Sequence, residues 1–259
     1  MKRLLIILLL FIAFHAEAQP GTGDADKFRK LVFSLTKVMY HDVVNPPAAA
    51  RFYAYCMLAS YEAQYQLKKE MPDFHHNFKG YVPVKPIADT HMIDEPFAVL
   101  YALMETARNI LPSGYRLAEE QQDLVNEFRK KSATAVIAAS IAFATRISAN
   151  IIKYAKPDGY FKLSALPRYS LKKEEGAWRP TPPEYMAAVE PNWKTIRTFF
   201  LDSARQFTSI PAVKFDTSKG SSFHALVNEV YTTGKNLSEE QQLIANYWDC
   251  NPFAVQFAG

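Results

Sequence analysis

A chain of 259 residues is long enough for one large or two small domains with a real core. Aromatic residues make up 14 % of it, which argues against disorder, and a formal charge of +4 is too small to imply a nucleic-acid or anionic-membrane surface. Its two cysteines, Cys56 and Cys250, define no disulfide framework, although export would permit them to pair.

Residues 1–18 read as a secretory signal. Lys2 and Arg3 form a basic start, residues 4–14 are an apolar core, and Ala16-Glu17-Ala18 offers small residues at both recognition positions. That core is shorter than the ~20 residues a membrane span needs. Cleavage before Gln19 would leave 241 residues with a formal charge of +3. No cysteine follows directly for lipid attachment, so a soluble periplasmic or extracellular protein without a stable membrane anchor is expected.

Residues 24–40 place Phe28, Leu31, Val32, Leu35 and Val38 at helical spacing. Asn45 is positioned to cap the next helix, with Pro46 in its first turn, and that helix should run to about Leu67. Its residues 48–63 are apolar on nearly every face, which predicts full burial, including the thiol of Cys56. Glu62 is the exception, with Arg51 or Arg108 as candidate partners. Residues 71–94 hold Pro72, Pro83 and Pro86 and read as an irregular loop. Asp94-Glu95-Pro96 then opens a helix carrying Phe97, Leu100, Tyr101, Met104 and Ile110.

The longest helical stretch spans residues 118–155. Its centre, 133–144, is almost purely apolar but soon interrupted by Arg146, Ser148 and Asn150, which fits a buried core helix better than a membrane span. Its many alanines would let neighbouring helices approach closely. Residues 156–191 contain too much proline for a long helix and predict an extended, packed segment, with Trp178 and Trp193 as anchors. Residues 191–207 and 221–231 read as helices, and Ser238-Glu239-Glu240-Gln241 is a capping box for the last one. The likeness of residues 117–122 to 237–242 is two copies of good capping chemistry, too few for a repeat architecture. No segment alternates like a strand. The expected fold class is all-α, a helical bundle with long Pro-rich connectors.

Chemistry-bearing patterns are sparse. His41, His75, His76, His91 and His224 show no zinc spacing, so no metal ligands are assigned. No Gly-x-Ser-x-Gly elbow occurs, and Ser221-Ser222-Phe223-His224 pairs no base with a nucleophile.

Three stretches carry a resemblance: HDVVNPPAAARFYAYCMLASYEA (41–63), GAWRPTPPEYMAAVEPNW (176–193) and YWDCNPFAVQFAG (247–259). They resemble the N-terminal half of the bacterial vanadium-dependent haloperoxidases and their relatives among the type 2 phosphatidic acid phosphatases. The resemblance implies a larger helical fold. It also implies halide oxidation on bound vanadate, or phosphate-ester hydrolysis, for complete relatives. Such proteins grip the oxyanion with three motifs in order: Lys-x6-Arg-Pro, Pro-Ser-Gly-His and Ser-Arg-x5-His.

Fragments of the first two motifs occur here. Lys172 and Arg179-Pro180 have the first spacing, and Pro112-Ser113-Gly114-Tyr115 matches the second except at its end. Their order is reversed, and Tyr115, with an ordinary pKa of about 10, replaces the proton-shuttling histidine. The third motif does not occur in residues 1–259. Both fragments are therefore read as accidental. The expectation is an N-terminal helical domain over residues 19–259 that ends before the catalytic motifs. No catalytic, cofactor-binding or metal residues and no cofactor are expected of its own, and the polypeptide should be inactive. An apolar C-terminal face around Tyr247, Trp248, Phe253 and Phe257 would pack on the absent half or on a partner chain. The alternatives are a non-catalytic exported helical binding module and a metal-dependent hydrolase using His75, His76 or His91.

Overall fold

A computed structural model describes residues 23–68, 70–87, 89–182 and 185–249. The expected signal segment, Cys250, Phe253 and Phe257 lie outside these residues. Among the described residues there are seven α-helices and no strand: α1 Gly23–His41, α2 Pro46–Leu67, α3 Glu95–Ile110, α4 Ala118–Arg129, α5 Thr134–Ala155, α6 Ser222–Lys235 and α7 Glu239–Tyr247. The fold is all-α. The chain divides into two compact units, one from Met1–Asp42, Phe52–Met71 and Val84–Ile152, the other from Val43–Arg51, Pro72–Pro83 and Lys153–Gly259.

The first unit is a bundle. Its helix α1 buries Leu31, Leu35 and Val38 of the predicted stripe together with Ser34 and Met39, while Phe28 and Val32 are half-buried. Within α2, Phe52, Tyr55, Cys56, Leu58, Ala59 and Ala63 are buried, but Tyr53, Ala54, Met57 and Tyr61 are half-buried and Ala50 is exposed, so the full burial expected over 48–63 is not reached. Ser60 on α2 donates to the Val99 carbonyl of α3 at 3.2 Å. Helix α3 buries Phe97, Leu100, Leu103 and Met104. Each such side chain contributes ~1.5–3 kcal/mol by leaving water.

Asp94 organises one end of this bundle. Its Oδ1 caps α3 by accepting from the Phe97 N–H at 3.2 Å, and its Oδ2 accepts from the Ser132 hydroxyl at 2.6 Å. Its own N–H donates to the Ser140 hydroxyl at 2.9 Å. These bonds explain why the single helix expected over 118–155 is two. The Lys131 and Ser132 N–H groups fold back onto the Phe128 carbonyl, which closes α4 and turns Ser132 toward Asp94.

Helix α5 also differs from the expected all-round burial. It buries one stripe, Ile137, Ser140, Phe143, Ala144, Ile147, Ser148 and Ile151, and leaves Ala135, Ala138 and Ala142 exposed. Close helix approach through those three alanines is therefore not seen. By length and composition alone, Thr134–Ala165 would suffice to cross a membrane. The regular buried stripe is that of a bundle helix.

The second unit is built mostly from irregular chain. Asn45 caps α2 by accepting from the Ala48 N–H at 3.0 Å, and its amide donates to Glu190 at 2.8 Å. Among the described residues of the Pro-rich 156–191 stretch there is no α-helix, and short tight turns stand at Lys156–Asp158 and Tyr160–Ala165. Trp193 meets Tyr160 edge to face at 6.3 Å, whereas Trp178 packs on Tyr169 of the same segment at 5.4 Å, not on a helix.

The helix expected over 191–207 is absent, replaced by the three-residue turns Trp193–Thr195 and Ala204–Gln206. Its backbone is committed elsewhere. The Arg197 N–H donates to the Asp158 carbonyl, and the Phe199 carbonyl accepts from the Lys79 N–H, both at 2.8 Å. Thr195, Ile196 and Thr198 are β-branched, so local propensity does little to resist. Helices α6 and α7 start where expected, on Ser221 and on the Ser238/Gln241 capping box.

Candidate functional site

The two motif fragments have structural roles and belong to different units. Pro112-Ser113-Gly114-Tyr115 ends α3 in the first unit. A Cβ on Gly114 would collide with the Arg108 and Ala107 carbonyls, so the turn requires glycine. Ser113 donates its N–H to Asp42 Oδ2 at 2.9 Å, and Tyr115 faces solvent. Burial pushes the Asp42 carboxyl up, but the Ser113 hydroxyl and N–H and the His41 ring outweigh it and hold it below the ordinary range. Lys172 and Arg179 lie exposed on the extended segment of the second unit.

The histidines are dispersed in their local settings. His41 sits 3.1 Å from Asp42, and His75 is buried against the Tyr81 ring with Nδ1 2.9 Å from Asp73. His76 and His91 are exposed. The Ser221 hydroxyl accepts the His224 N–H at 3.0 Å and donates to the Asp216 carbonyl at 2.7 Å, so it is occupied as a helix cap. Among the described residues, no group of three or more His, Cys, Asp or Glu side chains could hold a metal ion.

The strongest electrostatic feature is one the sequence reading missed. In the second unit, Arg51 donates its Nε–H to Asp158 Oδ2 at 2.5 Å and an Nη2–H to the Arg197 carbonyl at 2.9 Å. Its guanidinium also lies over the Phe199 ring, 4.7 Å from the centroid. Asp158 Oδ1 accepts the Tyr160 N–H at 2.7 Å. Arg197 covers the Tyr154 ring at 3.7 Å and donates to the Tyr154 carbonyl at 2.8 Å. The sequence signals were an arginine within the apolar first half of α2 and an aspartate between Pro157 and Gly159, where Gly159 takes a left-handed φ of 99°. Of the partners expected for Glu62, Arg51 is thus bonded to Asp158, and Arg108 donates to Gln121. Glu62 itself accepts from Gln66 at 2.7 Å.

Two clefts flank this unit's irregular chain. One, of about 590 Å³, is bordered by Lys79, Lys194, Arg197, Trp193, Phe199 and Phe200, with the Lys79–Asp202 ion pair at 2.8 Å on its edge. The other, of about 540 Å³, is walled by Tyr169, Trp178 and Tyr185 with Pro167, Pro180 and Pro191. Tyr185 and Glu190 beside it hold left-handed φ angles of 48° and 46°. Neither cleft is lined by a histidine. Farther along, α6 and α7 bury no residue and expose Leu226, Val227, Val230, Tyr231, Leu243, Ile244 and Tyr247, with Trp248 exposed at the C-terminal cap of α7.

No family model matches the sequence, and no curated protein matches it. Among solved structures the chain is similar to a bacterial vanadium-dependent iodoperoxidase, with a TM-score of 0.80 and 28 % sequence identity. The similarity covers 89 % of this chain and 56 % of that one. The chain therefore has a vanadium haloperoxidase-like helical fold and spans just over half the length of that structure.

Proposed function

We propose that this polypeptide is the scaffold portion of an exported vanadium-dependent haloperoxidase-like protein. The observation that carries the reading is the fold likeness to an iodoperoxidase over 89 % of the chain. That neighbour favours peroxide-driven halide oxidation over phosphate-ester hydrolysis as the activity of the complete assembly. Vanadate supplies the peroxide-activating chemistry in such proteins.

The residues described here do not fit that group. A vanadate site needs arginine and lysine donors on the equatorial oxygens and a histidine at the metal. Here Lys172 and Arg179 are exposed, Tyr115 stands in the place of a histidine, and the fragments belong to different units. Of the arginines at the Trp193 cleft in the second unit, Arg51 is paired with Asp158 and Arg197 covers the Tyr154 ring. The contribution of the chain is architectural: it presents helices and a stiff Pro-rich crossover to the part of the fold that holds the oxyanion.

Two experiments test this. Purified residues 19–259, supplied with orthovanadate, peroxide and iodide, should form triiodide no faster than the protein-free mixture. Sustained vanadate-dependent turnover would remove the scaffold reading. Mass spectrometry of the protein from its producing cells should find Gln19 as the first residue, and a retained Met1 in a membrane fraction would refute export.

A further inference from the structure

We propose that the cleft walled by Tyr169, Trp178 and Tyr185 is a binding site for a quaternary ammonium group. It lies wholly within the second unit and does not depend on the scaffold reading. Its volume of about 540 Å³ falls in the range of small-molecule sites.

The walls specify the ligand. The Tyr169 and Trp178 rings stand 5.4 Å apart with their planes at 78°, so two aromatic rings meet in a corner, and Tyr185 is a third ring on the same cleft. Tryptophan is on average among the more buried side chains, yet Trp178 is 50 % exposed here and Tyr185 62 %. Polar side chains at this wall are already engaged. The Tyr169 hydroxyl donates to the Trp178 carbonyl at 3.4 Å, and the Asn192 amide donates to the Pro167 carbonyl at 2.9 Å. Pro167, Pro180 and Pro191 carry no N–H to offer. The cleft therefore presents aromatic rings more than hydrogen-bond donors. A cation without N–H groups suits such a wall, because the ring quadrupole attracts it and it requires no acceptor.

Glu190 supplies the opposite charge. It borders the cleft half-buried, and its Oε1 accepts from the Asn45 amide at 2.8 Å. Arg168 borders the cleft too, but it is exposed, so water and salt screen its repulsion more than they screen the half-buried carboxylate. Backbone strain coincides with these groups. Tyr185 and Glu190 hold φ angles of 48° and 46°, which residues with a side chain rarely adopt. Strain of this kind concentrates at ligand clamps, and here it falls on one ring and on the carboxylate.

Saturation-transfer NMR of choline chloride with the purified chain tests the proposal. The choline methyl signal should show saturable transfer. The neutral tert-butyl analogue of choline has the same shape without the charge, and should bind about tenfold more weakly. Trp178→Leu should lower choline affinity about tenfold as well. Glu190→Gln keeps an oxygen for the Asn45 amide and should lower it about threefold, as for a partly exposed ion pair. Both variants should retain the circular dichroism of the wild type. Co-sedimentation with phosphatidylcholine vesicles identifies the source of the group. Vesicle capture that Trp178→Leu abolishes assigns it to a lipid headgroup, and choline binding without vesicle capture assigns it to a soluble molecule. Absence of saturable choline transfer would overturn the proposal. So would equal affinity for the neutral analogue, or wild-type affinity in both folded variants.

Discussion

Arg51 and Asp158, 107 positions apart, meet through a 2.5 Å hydrogen bond with their side chains only 7 % and 2 % exposed. The pair joins the start of α2 to the turn after α5, and the Arg197 carbonyl and N–H attach the 193–201 segment to the same two residues. Breaking one partner leaves a charge stranded out of water. Arg51→Ala or Asp158→Ala should each lower stability by ~3–5 kcal/mol. The double substitution should cost less than the sum of the two, because the residues share one interaction. Urea denaturation of the four proteins measures this, and strict additivity would show that the pair is not coupled.

Asp42 predicts a pH dependence. Its folded-state pKa lies below the ordinary value, so the stability it contributes is present above the unfolded pKa and is lost as pH falls through the folded one. Asp42→Asn should therefore destabilise the chain at pH 7, by about 1 kcal/mol for a partly exposed, hydrogen-bonded carboxylate. At the acid end, where the wild-type carboxyl is itself protonated, the difference should shrink. Denaturation midpoints of both proteins across pH 2.5–7 give the answer, and a constant difference would contradict it.

Gly114 provides a test of why the second motif fragment exists. If its role is to bring the chain against the α3 carbonyls, then Gly114→Ala must move backbone and should cost ~1–3 kcal/mol. Tyr115→His, which completes the motif on paper, should change stability little, because Tyr115 is exposed. It should create no vanadate affinity. A well-tolerated Gly114→Ala would mean that the close contact is not what selects glycine.

Cys56 is a buried free thiol whose pKa burial pushes up to about 12. The thiolate is the reactive species, so at pH 8 this sulfur should be inert to a disulfide reagent until the chain is unfolded. In a Cys250→Ser background, native protein should release no chromophore over minutes and denatured protein one equivalent. Rapid labelling of the native protein would show that Cys56 is accessible.

What the sequence revealed and what it hid divide along the range of the interactions. The caps at Asn45 and Ser238 were legible because each side chain bonds a backbone group three residues away. The break before α5 was not, because it depends on Ser132 reaching Asp94, 38 positions upstream. The missing helix over 191–207 fails for the same reason, its backbone being bonded to Asp158 and Lys79. One-sided burial of α5 was invisible because a run of alanines has no polar face to reveal its period. The buried Arg51–Asp158 pair likewise needed the tertiary structure.

The central claim is that residues 19–259 form a haloperoxidase-like scaffold with no oxyanion clamp of their own. Vanadium-51 NMR of orthovanadate titrated with the purified chain measures this most directly, since a protein-held oxyanion broadens and shifts the free signal. Losing even one preorganised donor typically costs about 10²–10³ in rate in such sites, and among the described residues Lys172 and Arg179 are exposed and share no cleft with a histidine. The free-vanadate resonance should therefore keep its width and position through a tenfold excess of protein. Saturable broadening that disappears in Lys172→Ala or Arg179→Ala would contradict the account and make those exposed residues a real site.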